Sequence, residues 1–176
     1  RVKLWVREPE LHAEMRARRV NSMFLPEVGL PDAVDPCTSL EEALADVDFV
    51  VSAVPSHGTR SVLKAAAPFV SRRATIVSAT KGLEAGTMKR MSEVVAEELG
   101  GDHTIAVLSG PSFALEVARG LPTALVVAGT APLCQAATRA LHALLRARAA
   151  HPLKPPLSRF AGEGPGVRAP RTALPP

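Results

Sequence analysis

The sequence predicts a doubly wound α/β fold, a mostly parallel sheet with helices on both faces, on three observations. Apolar runs of strand length alternate with amphipathic helical stretches from residue 2 to about 146. Parallel neighbours need a crossover of about a dozen residues, and these stretches supply it. The run Asp48–Val54 (DFVVSAV) is nearly all apolar, as a strand covered on both faces must be. Aromatic residues make up only 3% of a chain that is 47% hydrophobic, a balance that suits stacked helices and strands better than a β-sandwich.

The elements follow in order. Val2–Val6 is a short apolar run with no turn or cap before it, so the chain is expected to start inside a strand. A helix is expected from Pro9 to about Val20, then a loop through Asn21, Phe24, Leu25 and Pro26 and a brief extended piece near Ala33. Ser39-Leu-Glu-Glu42 is a capping box that opens a helix to Ala45. Pro55 ends DFVVSAV; a helix over about 59–70, a strand over 75–80, a helix over about 87–99 and a strand over 104–108 come next. A short helix over 113–119, a strand over 123–128 and a helix over about 131–146 complete the domain, assigned to residues 1–148. From Ala149 the character changes, because seven of the 16 prolines fall after residue 150 together with Gly162, Gly164 and Gly166. Residues 149–176 are therefore expected to form a disordered tail that is not native to the domain.

Composition narrows the function classes. The net charge of +4 is concentrated in that tail, where Lys154, Arg159, Arg168 and Arg171 face Glu163 alone; the remaining 17 basic and 16 acidic residues nearly cancel. A nucleic-acid partner loses its main support, and pairs such as Arg18-Arg19 and Arg72-Arg73 read as solvated helix ends and turns. No apolar stretch is long enough for a membrane span and the N-terminal residues are charged, so a cytoplasmic protein with no membrane partner is expected. Cys37 and Cys134 stand far apart with no C-x-x-C and no ligand-spaced histidine; two buried free thiols are expected, and no metal site.

In an open parallel sheet, ligands bind beyond the carboxyl ends of the strands. Polar and glycine residues recur there: Arg7, then Pro55-Ser56-His57, then Lys81-Gly82, then Gly110-Pro111-Ser112. All four clusters are expected at one edge of the sheet. Lys81 would put an ammonium at its mouth, able to pair with a phosphate or to polarise a carbonyl oxygen, although spacing alone favours an ordinary turn lysine before a glycine. Gly110-Pro111-Ser112 offers close backbone approach, a hydroxyl and a helix N-terminus suited to an anion, or a plain loop with Ser112 as N-cap. His57 could move a proton or sit as a solvated loop histidine, and Trp5 reads as core.

Five blocks carry a family resemblance: LWVRE (Leu4–Glu8), N-x-x-F-L-P (Asn21–Pro26), AVPSH (Ala53–His57), ATKGLE (Ala79–Glu84) and SGPSFALEVARGLPTA (Ser109–Ala124). Together, in this order and spacing, they resemble the NAD(P)-dependent glycerol-3-phosphate dehydrogenase of bacteria, over residues 1 to about 145. The resemblance implies a Rossmann-like domain, NADP or NAD as cofactor, and an oxidoreductase interconverting glycerone phosphate and sn-glycerol 3-phosphate for phospholipid synthesis. It also implies that Arg7 contacts the adenosine end of the cofactor and that Lys81, the catalytic candidate, is shared by cofactor and substrate. Gly110 and Ser112 take the positions of substrate contacts, and Ala114 that of a cofactor contact. An arginine at the position of Arg7 favours a 2′-phosphate, while Glu8 beside it leaves NAD open.

The resemblance further implies a first strand, missing here, and its Gly-rich turn before Arg1, and a helical second domain after residue 148, which carries the proton-transferring lysine. Residues 1–176 are accordingly expected to be a fragment, inactive alone, with a homodimer left open for the complete enzyme. Lys154 lies in no matching motif. Two other readings stay open, another β-hydroxyacid dehydrogenase and a non-catalytic dinucleotide-binding module; ATKGLE and the lack of a glycine-rich substrate motif weigh against the first.

Overall fold

The computed structural model describes residues 1–149, with 142–149 as helix alone. The proposed tail over 149–176 lies, apart from Ala149, outside the described residues.

The strands hydrogen-bond in three groups. In the first, β1 (Val2–Trp5) runs parallel to β4 (Val34–Cys37), in register from Val2↔Val34 to Trp5↔Cys37. Between them lies α1 (Pro9–Arg18), where Pro9 presets φ at the first helical position and costs no needed N–H. Leu11 and Met15 of α1 pack on Val6. Arg19 ends α1 in the left-handed region at φ 56, and its guanidinium donates to the carbonyls of Pro31 (2.5 Å) and Val34 (2.7 Å). The expectation of a solvated Arg18-Arg19 pair thus fails at Arg19, a half-buried clamp for the loop that enters β4.

The second group is an unexpected antiparallel hairpin, β2 (Val20–Asn21) with β3 (Leu25–Gly29), where a loop was predicted. Pro26 argues against a strand in a sequence, yet it is tolerated because this is a small ribbon made of edges. Next comes α2 (Leu40–Leu44), opened as predicted: the Ser39 hydroxyl accepts from the Glu42 N–H at 3.2 Å.

The third group orders β5 (Phe49–Ser52), β6 (Thr75–Ser78), β7 (Ile105–Ser109) and β8 (Val126–Ala128) side by side, the first three parallel. The crossovers are α3 (Ser56–Ala66), followed by a 3-10 turn at Ala67–Phe69, and α4 (Met91–Leu99). Strand side chains alternate between faces. Ile76 points to the face where Leu63 of α3 and Met91, Val94 and Val95 of α4 form a buried cluster. Val77 and Ala106 point the other way, onto Leu133 of α6 (Ala131–Ala149).

Two further expectations need correction. The last strand, β8, runs antiparallel to β7. The segment joining them contains only α5 (Ala114–Ala118), one short turn of helix of about 8 Å, too short to carry the chain back to the start of the sheet. The helix expected from Thr87 starts at Met91, because Gly86 (φ 86) and Met88 (φ 58) hold residues 84–89 in a closed loop. Of the two cysteines, both free, Cys37 is buried and Cys134 only half-buried.

Among the described residues no helix is long and apolar enough to cross a membrane. Replacing Ile76, which is wholly buried, by alanine should lower the stability measured by denaturant unfolding by about 2–5 kcal/mol. Leu121→Ala, at a half-exposed position, should change it by about 0.5 kcal/mol or less. Equal effects would place the core elsewhere.

Candidate functional site

Parallel register decides which strand ends meet. Ser78 of β6 is registered with Ser52 of β5 and with Val107 of β7. Pro55, Lys81 and Gly110 each stand three residues past those partners, so they emerge side by side at the carboxyl edge. The side chains close the arrangement. Lys81 Nζ donates to the Gly110 carbonyl at 2.5 Å and to Ser112 Oγ at 3.4 Å. An ammonium has three donors, so one remains for a ligand. The preceding Thr80 fixes the strand end, its hydroxyl donating to the Val54 carbonyl at 2.8 Å.

Glycine is required at the receiving end. Gly110 has φ 123, and a Cβ there would lie 2.4 Å from the Ala124 carbonyl oxygen, which cannot move without shifting the start of β8. A cleft of about 380 Å³ opens beside this edge, with Lys81, Arg90, Ser92 and Ser109 among its walls. Arg90 is partly engaged there: its N–H and guanidinium both donate to Glu93 at the first turn of α4.

Three of the four predicted clusters therefore converge. The fourth, Arg7, follows β1 in a separately bonded strand group; its exposed guanidinium donates to Glu8 at 2.8–2.9 Å. His57 is exposed in the first turn of α3. Ala114 is exposed as the first residue of α5, and Phe113, not Ser112, holds the N-cap position; the Ser112 hydroxyl turns to Gly110 and Lys81 instead. Trp5 is half-buried, its indole N–H donating to the Thr38 carbonyl at 3.0 Å.

The arrangement has known counterparts. The family described as NAD-dependent glycerol-3-phosphate dehydrogenase N-terminus matches residues 1–134. The chain belongs to this family. It is 45% identical over 132 residues to the glycerol-3-phosphate dehydrogenase [NAD(P)+] of Thioalkalivibrio sulfidiphilus, covering 75% of this chain and 40% of that one. The enzyme of the same name from Shewanella sediminis is 46% identical over 130 residues, with 74% and 38% covered. The crystal structure of glycerol-3-phosphate dehydrogenase from Coxiella burnetii superposes with a TM-score of 0.72 at 34% identity, over 81% of this chain and 42% of that one. The chain thus spans about two fifths of the length of the dehydrogenases it matches.

One feature of the fold beside this edge has no signal in the local sequence. Arg60 of α3 grips Glu84 of the ATKGLE block with two nitrogens, Nε to Oε1 at 2.7 Å and Nη2 to Oε2 at 2.8 Å. The same guanidinium donates to Glu97 at 2.8 Å and to Glu98, both on α4. Pairing across 24 or more residues leaves no local spacing to read; the only hint was an acidic residue inside a block otherwise assigned to binding. The fork from Arg60, helped by the Thr87 hydroxyl, holds the Glu84 carboxyl down at about 2 against an ordinary 4.5.

A carboxyl depressed in the folded state stabilises above its unfolded value and stops doing so as pH falls through its folded value. Glu84→Gln should therefore lower stability at neutral pH, with the difference from the parent shrinking between about pH 4.5 and about 2. Denaturation followed against pH reads this directly, and a difference that stays constant into acid would contradict it. Gly110→Ala should unfold more readily and lose the Lys81 contact, since neither its φ nor its space admits a side chain.

Proposed function

We propose that residues 1–148 form most of the dinucleotide-binding domain of a cytoplasmic NAD(P)-dependent glycerol-3-phosphate dehydrogenase, which reduces glycerone phosphate to sn-glycerol 3-phosphate for phospholipid synthesis. The observation that carries this reading is the Lys81 ammonium held across two strand ends by Gly110 and Ser112. Lys81 is exposed, yet its ammonium is tied to the neighbouring strand end with a donor to spare.

In this reading, Lys81 faces the carbonyl oxygen of glycerone phosphate and stabilises the negative charge that grows there as the carbonyl is reduced. Ser112 and the backbone at Gly110 hold the substrate beside it. The nicotinamide dinucleotide supplies the hydride. A proton from a lysine that the family carries in its second domain completes the new hydroxyl. Ala114, small and exposed at the start of α5, lets the cofactor approach the backbone. Arg7 suits the adenosine 2′-phosphate, because its guanidinium is exposed and its one ion-pair partner among the described residues, the half-buried Glu8, is a carboxylate that a phosphate can replace. The same Glu8 can accept from a ribose hydroxyl, so NAD is served as well.

The sheet supports a further strand in this domain. Among the described residues, β1 bonds only to β4 and β5 only to β6, which leaves one parallel edge of each open. Phe49 and Val51 of β5 are exposed beside that edge, 37% and 49%, although both are apolar. One more parallel strand and its helix would cover them.

In the full-length enzyme, Lys81→Met should lower kcat by about 10²–10³-fold while the melting temperature stays close to the parent's. Retained turnover with a collapsed melting temperature would make Lys81 structural. Arg7→Ala should weaken NADPH by about ten- to a hundredfold and NADH much less, as titration of each cofactor would show. Equal losses would remove Arg7 from the 2′-phosphate.

A further inference from the structure

The loop that follows Lys81 has little core of its own. It is closed on itself: Leu83 bridges Arg90, the Glu84 N–H bonds the Lys89 carbonyl at 2.9 Å, and the Met88 N–H bonds the Glu84 carbonyl at 2.9 Å. Ala85, Gly86, Thr87 and Met88 are all exposed. Between this closed unit and Lys81 lies only Gly82, at φ 90, so a shift of the unit is passed to Lys81 through a single residue. The aim of Lys81 thus depends on what anchors the unit as a whole. Its side-chain bonds outward run from Glu84 to Arg60, from Lys89 to Glu97 and from Arg90 to Glu93. Only the first reaches α3, the element behind the β5 strand end. The link from β5 into that helix also holds the residue before Lys81, through the Thr80 hydroxyl on the Val54 carbonyl.

Two of these contacts are forks, Arg90 on Glu93 of α4 and Arg60 on Glu84, and the Arg60 fork is the one that ties the loop to α3. A planar guanidinium on both oxygens of a carboxylate fixes orientation as well as distance, which a single-point ammonium does not. Glu84 is only 12% exposed at its side chain, and Thr87 holds it from within the loop at 2.5 Å. Arg60 is in turn braced by Glu97 and Glu98 of α4.

We propose that Arg60 is a positioning residue for Lys81: by gripping Glu84 it fixes the closed 83–90 loop against α3, and through Gly82 it sets the ammonium on the Gly110 carbonyl. The catalytic consequence rests on the reading of Lys81 given above. The positioning itself is tested without any substrate, and Lys81→Met turnover tests the substrate reading, so either can fail without the other.

The test is trace acetylation of the full chain with acetic anhydride, read by peptide mass spectrometry for the parent, Arg60→Gln, Arg60→Lys and Glu84→Gln. Lys64, exposed on α3, is the internal reference. Lys3, paired with Asp35 and Glu42 in the other strand group, reports general unfolding. Lys81 labelling relative to Lys64 should rise about three- to tenfold in Arg60→Gln and Glu84→Gln, the equivalent of losing one net hydrogen bond, with Lys3 unchanged. Arg60→Lys should not restore the parent's value, because it keeps the charge and loses the fork. Unchanged Lys81 labelling in both Arg60→Gln and Glu84→Gln would overturn the proposal, as would full rescue by Arg60→Lys. So would a rise at Lys3 in step with Lys81, which would make the ion cluster a general stabiliser.

Discussion

The site depends on the parallel register of β6 with its two neighbours. Ser78 lies against Ser52 on one side and Val107 on the other, and the first polar residues beyond each strand therefore come out together. Sheet register has no graded errors. A slip of one residue would turn Ile76 and Ser78 from the α3/α4 face toward α6 and put Val77 in their place. The wholly buried Ile76, Val94 and Val95 make that slip expensive, so the apolar core also sets where an ammonium meets a carbonyl.

The same core seats the outer brace. Leu63 of α3 and Met91, Val94 and Val95 of α4 share one cluster over β6, which lays the two helices side by side. Their solvent faces then bring Arg60 within reach of Glu97 and Glu98, and the loop between β6 and α4 supplies Glu84. Each exposed ion pair taken singly contributes little to stability. One guanidinium shared by three carboxylates does more for geometry than for energy, since every added partner narrows the orientations left to the others. A fixed edge of this kind is what a polarising lysine needs, because charge stabilisation at a reacting oxygen depends on donors already in place.

Much of this was legible in the sequence because local chemistry expresses it. The apolar run 48–54 gave a strand, although among the described residues β5 stands at the sheet edge with Phe49 and Val51 exposed; Ser39 gave a helix cap that the structure contains, and the strand-end rule brought Lys81, Gly110 and Ser112 together. What was missed is non-local. The β2–β3 hairpin is formed despite Pro26, and Arg19 becomes a half-buried clamp only because the Pro31 and Val34 carbonyls fold over it. The start of α4 moved from Thr87 to Met91 because positive φ at Gly86 and Met88 closes a loop, and a helical pattern does not report the backbone hand of one residue. The Arg60–Glu84 grip joins residues with no common period. Of the two readings of Ser112, the helix cap is the one the structure does not contain: its hydroxyl turns to Gly110 and Lys81, and Phe113 takes the N-cap position.

The central claim is that the carboxyl edge of β6 and β7 receives the reacting oxygen of the substrate. A crystal structure of the full-length enzyme with glycerone phosphate and a nicotinamide dinucleotide tests it most directly. The account predicts Lys81 Nζ within about 3 Å of a substrate oxygen, with Ser112 Oγ in contact with the same molecule. Substrate bound elsewhere, with Lys81 still on the Gly110 carbonyl and Ser112 untouched, would contradict it.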